Sequence, residues 1–142
     1  MVFVDTGGWI AVAVTSDLLH ELALNYYLDL VAKRVRLFTS NYVLDETLTR
    51  IRYDFGHTQA CRFCALYEEA EQQQLVTTLW VEAAVAKEAL ETFRKYSDQR
   101  FSFTDCTSFA LMQRHALKEA FTFDSHFETL GFLRQPQHLP QK

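Results

Sequence analysis

Four short apolar runs, Met1–Val4, Val35–Thr39, Leu75–Leu79 and Ala120–Phe123, punctuate a chain whose remaining length is written mostly in helical periods. The first run has no polar alternation, as expected of a strand covered on both faces, and the third is rich in β-branched residues. Parallel neighbours cannot be joined by a tight turn and need a crossover connection, which long helical stretches supply. The order β-α-α-β-α-α-β-α-α-β-α therefore predicts an α/β sandwich around a small parallel sheet.

The helical segments carry their own punctuation. Thr6-Gly7-Gly8 lets the backbone turn tightly, and a short helix is expected behind it over Trp9–Val14. Ser16 is placed to cap a helix over 17–33, in which Leu18, Leu19, Leu22, Tyr26 and Leu30 form a buried stripe. Asn41 caps the next helix, which carries Leu48, Ile51 and Phe55 and is stopped by Gly56. Further helices are expected over 58–72, 82–96 and 105–117, the last capped by Thr104 so that Asp105 lies in its first turn. From Arg134 onward, a segment holding both prolines, no core pattern continues. The expected organisation is one domain over residues 1–133 and a C-terminal tail over 134–142.

At 142 residues the chain is long enough to bury a core of its own. Its net charge of −4 argues against broad electrostatic capture of nucleic acid, but not against a nuclease whose acids are neutralised by metal. No run approaches the roughly 20 apolar residues that span a bilayer. Met-Val-Phe-Val-Asp-Thr also lacks the basic start of a signal peptide, so a cytoplasmic location is expected. Cys61, Cys64 and Cys106 are odd in number, which speaks against a disulfide framework. Cys61-x-x-Cys64 has the spacing of metal and redox motifs, yet it falls within a helical stretch without a second pair, and buried apolar thiols are expected.

The acids are the informative residues. Asp5 ends the first apolar run, Asp124 ends the fourth, Asp105 opens a helix, and Glu46 lies in the helix that begins near Asn41. In a parallel sheet the carboxyl ends of the strands share one edge, where open α/β sheets bind ligands. Four acids meeting there would hold a hard divalent cation, since Mg²⁺ takes oxygen ligands and leaves positions for water and substrate phosphate. Their mutual repulsion would make the cluster a cation trap. Taken singly, each acid has a plainer role: a turn residue for Asp5, helix caps for Asp105 and Asp124, and a helical partner of Arg50 for Glu46. Asp45 is the neighbour most easily confused with Glu46, and Asp98 reads as a solvated loop acid.

Val4-Asp5-Thr6-Gly7, Thr39-Ser40-Asn41-Tyr42-Val43-Leu44-Asp45-Glu46, Ser102-Phe103-Thr104-Asp105-Cys106 and Phe121-Thr122-Phe123-Asp124-Ser125-His126-Phe127 follow one another along the whole chain. In this order they resemble the motifs of the PIN-domain ribonucleases, and most nearly the toxin half of VapBC-type toxin–antitoxin pairs. The resemblance implies a three-layer α/β/α fold, endoribonuclease activity that depends on Mg²⁺ or Mn²⁺, inhibition by a cognate antitoxin, and a homodimer. Asp5, Glu46, Asp105 and Asp124 match the family's catalytic acids. In this reading Asp5 and Asp105 are direct metal ligands, Asp124 completes the metal site directly or through water, and Glu46 orients water or holds a second ion. Thr6 and Thr104 would support the acids or touch phosphate.

Arg50 and Arg52 share the helix of Glu46, while Arg94, Lys95 and Arg100 precede Asp105, so both groups are candidates for RNA backbone. His20, His57, His115, His126 and His138 are scattered, and none pairs at metal-ligand spacing; His126, two residues beyond Asp124, is the one to test. Tyr26, Tyr27, Phe63 and Tyr67 are many aromatics for a small core and suggest a surface for an antitoxin or a second copy. A catalytically weak binding module, or a metal-dependent DNase or phosphatase on the same site, are the alternative functions.

Overall fold

The five strands lie in the order β3-β2-β1-β4-β5, and every pairing is parallel. The structure, a computed structural model, describes residues 1–137. Along the chain run β1 (Val2–Val4), α1 (Thr6–Ala13), α2 (His20–Ala32), β2 (Leu37–Ser40), α3 (Asn41–Phe55) and α4 (His57–Gln72). They are followed by β3 (Val76–Leu79), α5 (Ala83–Lys95), α6 (Phe103–Arg114), β4 (Glu119–Phe121), α7 (His126–Thr129) and β5 (Leu133–Gln135). All three residues of β1 and all four of β2 are buried, and successive strand residues face opposite ways, so helices cover both faces of the sheet. The fold is the expected α/β/α sandwich.

Chain order within the sheet locates the site. From β1 the chain moves outward through β2 to β3, then returns to lay β4 against the other side of β1. The topological switch point thus lies between β1 and β4, paired in register from Val2 and Glu119 to Val4 and Phe121. Asp5 and Asp124 follow these two strands.

Buried aromatics hold the layers together: Trp9, Phe3, Phe63, Phe109, Phe121 and Phe127 are all fully enclosed. Trp9 carries a polar atom into this core and finds a partner there. Its Nε1 donates to Thr39 Oγ1 at 3.0 Å, and Thr39 donates onward to the Val4 carbonyl at 3.0 Å, so α1, β2 and β1 are joined by a satisfied buried relay. Gly8 lets α1 descend onto β4, since a Cβ there would lie 2.6 Å from the Phe121 carbonyl oxygen. Gly56 ends α3 at φ +94, a conformation that β-carbons oppose, and α4 begins at the next residue.

Several local expectations are corrected. Helix α3 is capped by Ser40, whose hydroxyl accepts from the Val43 amide at 3.0 Å, while Asn41 Oδ1 accepts from the Val81 amide at 2.8 Å. Helix α6 begins at Phe103 and is capped by Ser102 instead of Thr104. The tail expected from Arg134 contributes Arg134 and Gln135 to β5; Leu133-Arg134-Gln135 has one apolar residue at a sheet edge, too little pattern to read as a strand. Residues 138–142, His138 among them, lie outside the described residues. Cys61 is exposed and Cys64 half-buried, because α4 turns Ala60, Phe63 and Ala70 inward; only Cys106 is a buried thiol. The aromatics expected at a docking surface are largely internal: Tyr27, Phe63 and Tyr67 gather around Trp9, and Tyr26 packs edge-on against Phe121. Among the described residues, no helix is long and apolar enough to cross a membrane.

Candidate functional site

At the switch point a cleft of about 390 Å³ is lined by Asp5, Thr6, Gly7, Glu46, Arg50, Asp105, Thr122, Phe123, Asp124 and Ser125. All four acids singled out from the sequence reach it, each from a different segment. Asp5 stands between β1 and α1, Glu46 on the second turn of α3, Asp105 on the first turn of α6, and Asp124 after β4. Short strands end at fixed depths in a parallel sheet, and helices that start beside those ends bring their first residues to the same edge.

Asp5 is 5% exposed. Its Oδ2 accepts from the Thr122 hydroxyl at 3.0 Å, whereas its buried Oδ1 has no hydrogen-bond partner. Burial first, then the charges of Asp105 and Glu46, push its carboxyl up to about 7, against the pull of the nearby Thr6 amide and the Thr122 hydroxyl. Thr122 is the residue that sequence reasoning missed. Its hydroxyl also accepts from the Asp124 amide at 3.0 Å, so one side chain ties the acid after β1 to the loop after β4. The only signal was its place two residues before Asp124.

Asp105 occupies the third position of α6 in a capping box. Its amide donates to Ser102 Oγ at 2.9 Å, and its Oδ2 accepts from the Ser102 amide at 3.0 Å. Its carboxyl is likewise raised, chiefly by burial and also by Asp124, with the Ser102 amide and His126 opposing. Asp124 Oδ1 accepts from the His126 amide at 2.9 Å, and His126 Nδ1 lies 3.2 Å from both Asp105 Oδ2 and Asp124 Oδ2. Glu46 is half-buried and is not ion-paired with Arg50, although both line the cleft. Arg52, Arg94, Lys95, Arg100 and Asp98 do not line it. Beside Asp105, burial and that acid's charge push the Cys106 thiol up to about 11, which leaves it inert as a nucleophile near neutral pH.

These residues suit a divalent cation. The donors are mainly carboxylate oxygens, and the unpartnered Asp5 Oδ1 and Thr6 Oγ1 are buried polar atoms without protein partners. Asp105, Asp124 and His126 present ligand atoms within 4.8 Å of one another; Asp5 stands outside this close group.

A parallel sheet in this strand order, with acids gathered at its switch point, places the chain in a defined class: it belongs to the PIN domain family, matched over residues 2–133. Within that class its similarity is to VapC proteins. VapC20 of Mycobacterium tuberculosis, a 23S rRNA-specific endonuclease, is 32% identical over 133 residues, 94% of this chain and 96% of the relative. The VapC ribonuclease of Archaeoglobus fulgidus is 31% identical over 99 residues, 68% of this chain and 60% of the relative. The crystal structure of VapC20, described as a sarcin-ricin loop cleaving toxin, superimposes with a TM-score of 0.83 at 30% identity, covering 94% of this chain and 97% of that one. FitAcB from Neisseria gonorrhoeae shares the fold, with a TM-score of 0.66 at 16% identity, over 94% of this chain and 96% of that one.

Proposed function

We propose that this chain is a metal-dependent endoribonuclease, the toxin component of a toxin–antitoxin pair, which hydrolyses RNA phosphodiester bonds in the cleft at the β1/β4 switch point. The observation that carries this reading is the meeting of Asp5, Glu46, Asp105 and Asp124, from four separate segments, around one cleft. RNA is the substrate class named for the full-length relative and for the archaeal one.

Asp5, Asp105 and Asp124 would hold the cation, Mg²⁺ or Mn²⁺. When bound, it would neutralise charge on the scissile phosphate and lower the pKa of water at the site. The chain's own groups do the rest. Thr122 holds Asp5 in one orientation, and the Ser102 capping box does the same for Asp105, so neither carboxylate need reorganise when substrate arrives. Glu46, half-buried on α3 and lining the cleft, would orient water and accept its proton. Arg50, exposed beside it, offers charge to an RNA phosphate.

The test is to incubate the purified chain with single-stranded RNA, a sarcin-ricin loop hairpin, single-stranded DNA and a phosphomonoester, with Mg²⁺ or EDTA. Internal RNA cleavage that EDTA and Asp5→Asn both abolish is the expected result. Turnover of DNA or the monoester alone would assign a different hydrolase, and no turnover of any substrate would leave a binding module.

A cognate antitoxin completes the proposal, on the strength of the toxin description of VapC20, and a cytoplasmic site of action and a homodimer are proposed with it. A short neighbouring reading frame whose product co-purifies with the chain and blocks cleavage would support the antitoxin. Sedimentation as a monomer at all concentrations would remove the dimer.

A further inference from the structure

We infer that His126 is a metal-binding side chain of this cleft, and that its imidazole biases the site toward first-row transition ions, Mn²⁺ among them, over Mg²⁺. The inference rests on the metal-dependent reading above and adds to it a nitrogen ligand and a selectivity.

The geometry is that of donors arranged around a common point. His126 Nδ1 stands 3.2 Å from Asp105 Oδ2 and 3.2 Å from Asp124 Oδ2. One ring nitrogen carries at most one proton, yet here it faces two acceptors at the same distance. Both separations exceed the roughly 2.7–2.9 Å of a charge-assisted N–H···O bond. Adjacent donors of an octahedral ion held at about 2.1–2.2 Å stand roughly 3.0–3.1 Å apart, close to the spacing found.

The ring is held where it is. The His126 amide donates to Asp124 Oδ1, which leaves Asp124 Oδ2 toward the imidazole, and the Phe101 ring packs edge-on against the imidazole with centroids 5.1 Å apart. An independent feature of the same cleft points to a cation. Asp5 Oδ1 is buried without a partner and belongs to a residue that lines the cavity.

Chemistry then sets the selectivity. Mg²⁺ is a hard ion that favours oxygen, keeps several waters and gains little from imidazole. A mixed oxygen and nitrogen set binds transition ions with affinities that rise from Mn²⁺ along the first row. Mn²⁺ is the weakest-held of these, so it is the most demanding probe, and its paramagnetism reports its ligands.

The experiment uses the full chain with Mn²⁺ alone and with Mg²⁺ alone, without RNA. Electron spin-echo spectroscopy of bound Mn²⁺ is expected to show a nitrogen coupling that is absent in His126→Asn, a variant that keeps an N–H donor near the two carboxylates. Titration of free Mn²⁺ should show affinity falling 10- to 100-fold in that variant. Mg²⁺ affinity, read by competition, should change less than about threefold. A bound Mn²⁺ without nitrogen coupling in the unmodified chain would overturn the inference, as would equal losses for both ions. If His126→Asn does not fold, the nitrogen coupling of the unmodified chain decides alone. RNA cleavage with Mg²⁺ but no nitrogen coupling would remove the inference and keep the proposed function; nitrogen coupling without RNA cleavage would do the reverse.

Discussion

Of the helices that begin at the cleft, α1 and α6 each start beside a buried aspartate, but the two aspartates serve their helices differently. Asp105 closes a capping box with Ser102 and so stabilises the helix that carries it. Asp5 occupies the N-cap position of α1 yet makes no side-chain cap bond; one oxygen is held by Thr122 and the other has no partner. The start of α1 is fixed instead by close packing, with Gly8 against the Phe121 carbonyl. A buried carboxylate that satisfies neither its helix nor itself costs stability, and such a cost at a ligand edge is what a cation site needs.

The comparison can be broken at several points. The largest effect expected is on catalysis: Asp5→Asn should lower RNA cleavage roughly a thousandfold, several kcal/mol, in single-turnover assays. Retained activity would mean that the unpartnered oxygen serves no ion.

The next effect is on stability, and its sign follows from the raised carboxyl. Between about pH 4 and 7 folded Asp5 keeps a proton that the unfolded chain has already released. The unfolded state then binds fewer protons, so metal-free stability should fall as pH rises through this window, by on the order of a few kcal/mol, and level off above it. Asp105, raised in the same direction, adds to the slope. Urea unfolding in EDTA at pH 5 and pH 8 measures it. Asp5→Asn should remove most of the slope, and divalent metal should restore stability at pH 8; an unchanged slope in the variant would place its origin elsewhere.

Smaller effects separate the two helix starts. Gly8→Ala forces α1 away from β4 and should cost about 1–3 kcal/mol in urea unfolding. Ser102→Ala removes the acceptor for the Asp105 amide and should cost about 1 kcal/mol. If Ser102→Ala cost more than Gly8→Ala, the two starts would be anchored in the opposite way to that argued.

Three of the four acids were legible because each stands at a chain boundary that periodicity reveals: Asp5 after an apolar run, Asp105 in the first turn of a helix, Asp124 after β4. Thr122 was not, since a threonine in an apolar run is ordinary and its bond to Asp5 spans 117 residues. The place of His126 between two carboxylates was equally hidden, because it depends on an aspartate 21 residues away. Cys61, expected inside because Cys61-x-x-Cys64 falls within a helix and has no second pair, is exposed, since the inward face of α4 runs through Ala60 and Phe63. β5 escaped notice because Leu133 is 42% exposed and an edge strand needs little apolar pattern.

Local chemistry alone settled which segments are strands buried on both faces, which are helices, and that acids mark the ends of two strands and the start of one helix. Those are properties of a few consecutive residues, governed by backbone sterics and by the period of hydrophobic burial. Only the folded molecule decided that β4 lies beside β1, that Thr122 reaches Asp5, and that His126 stands between two carboxylates. Each of these depends on distances between segments far apart in the chain, set by how the core packs as a whole.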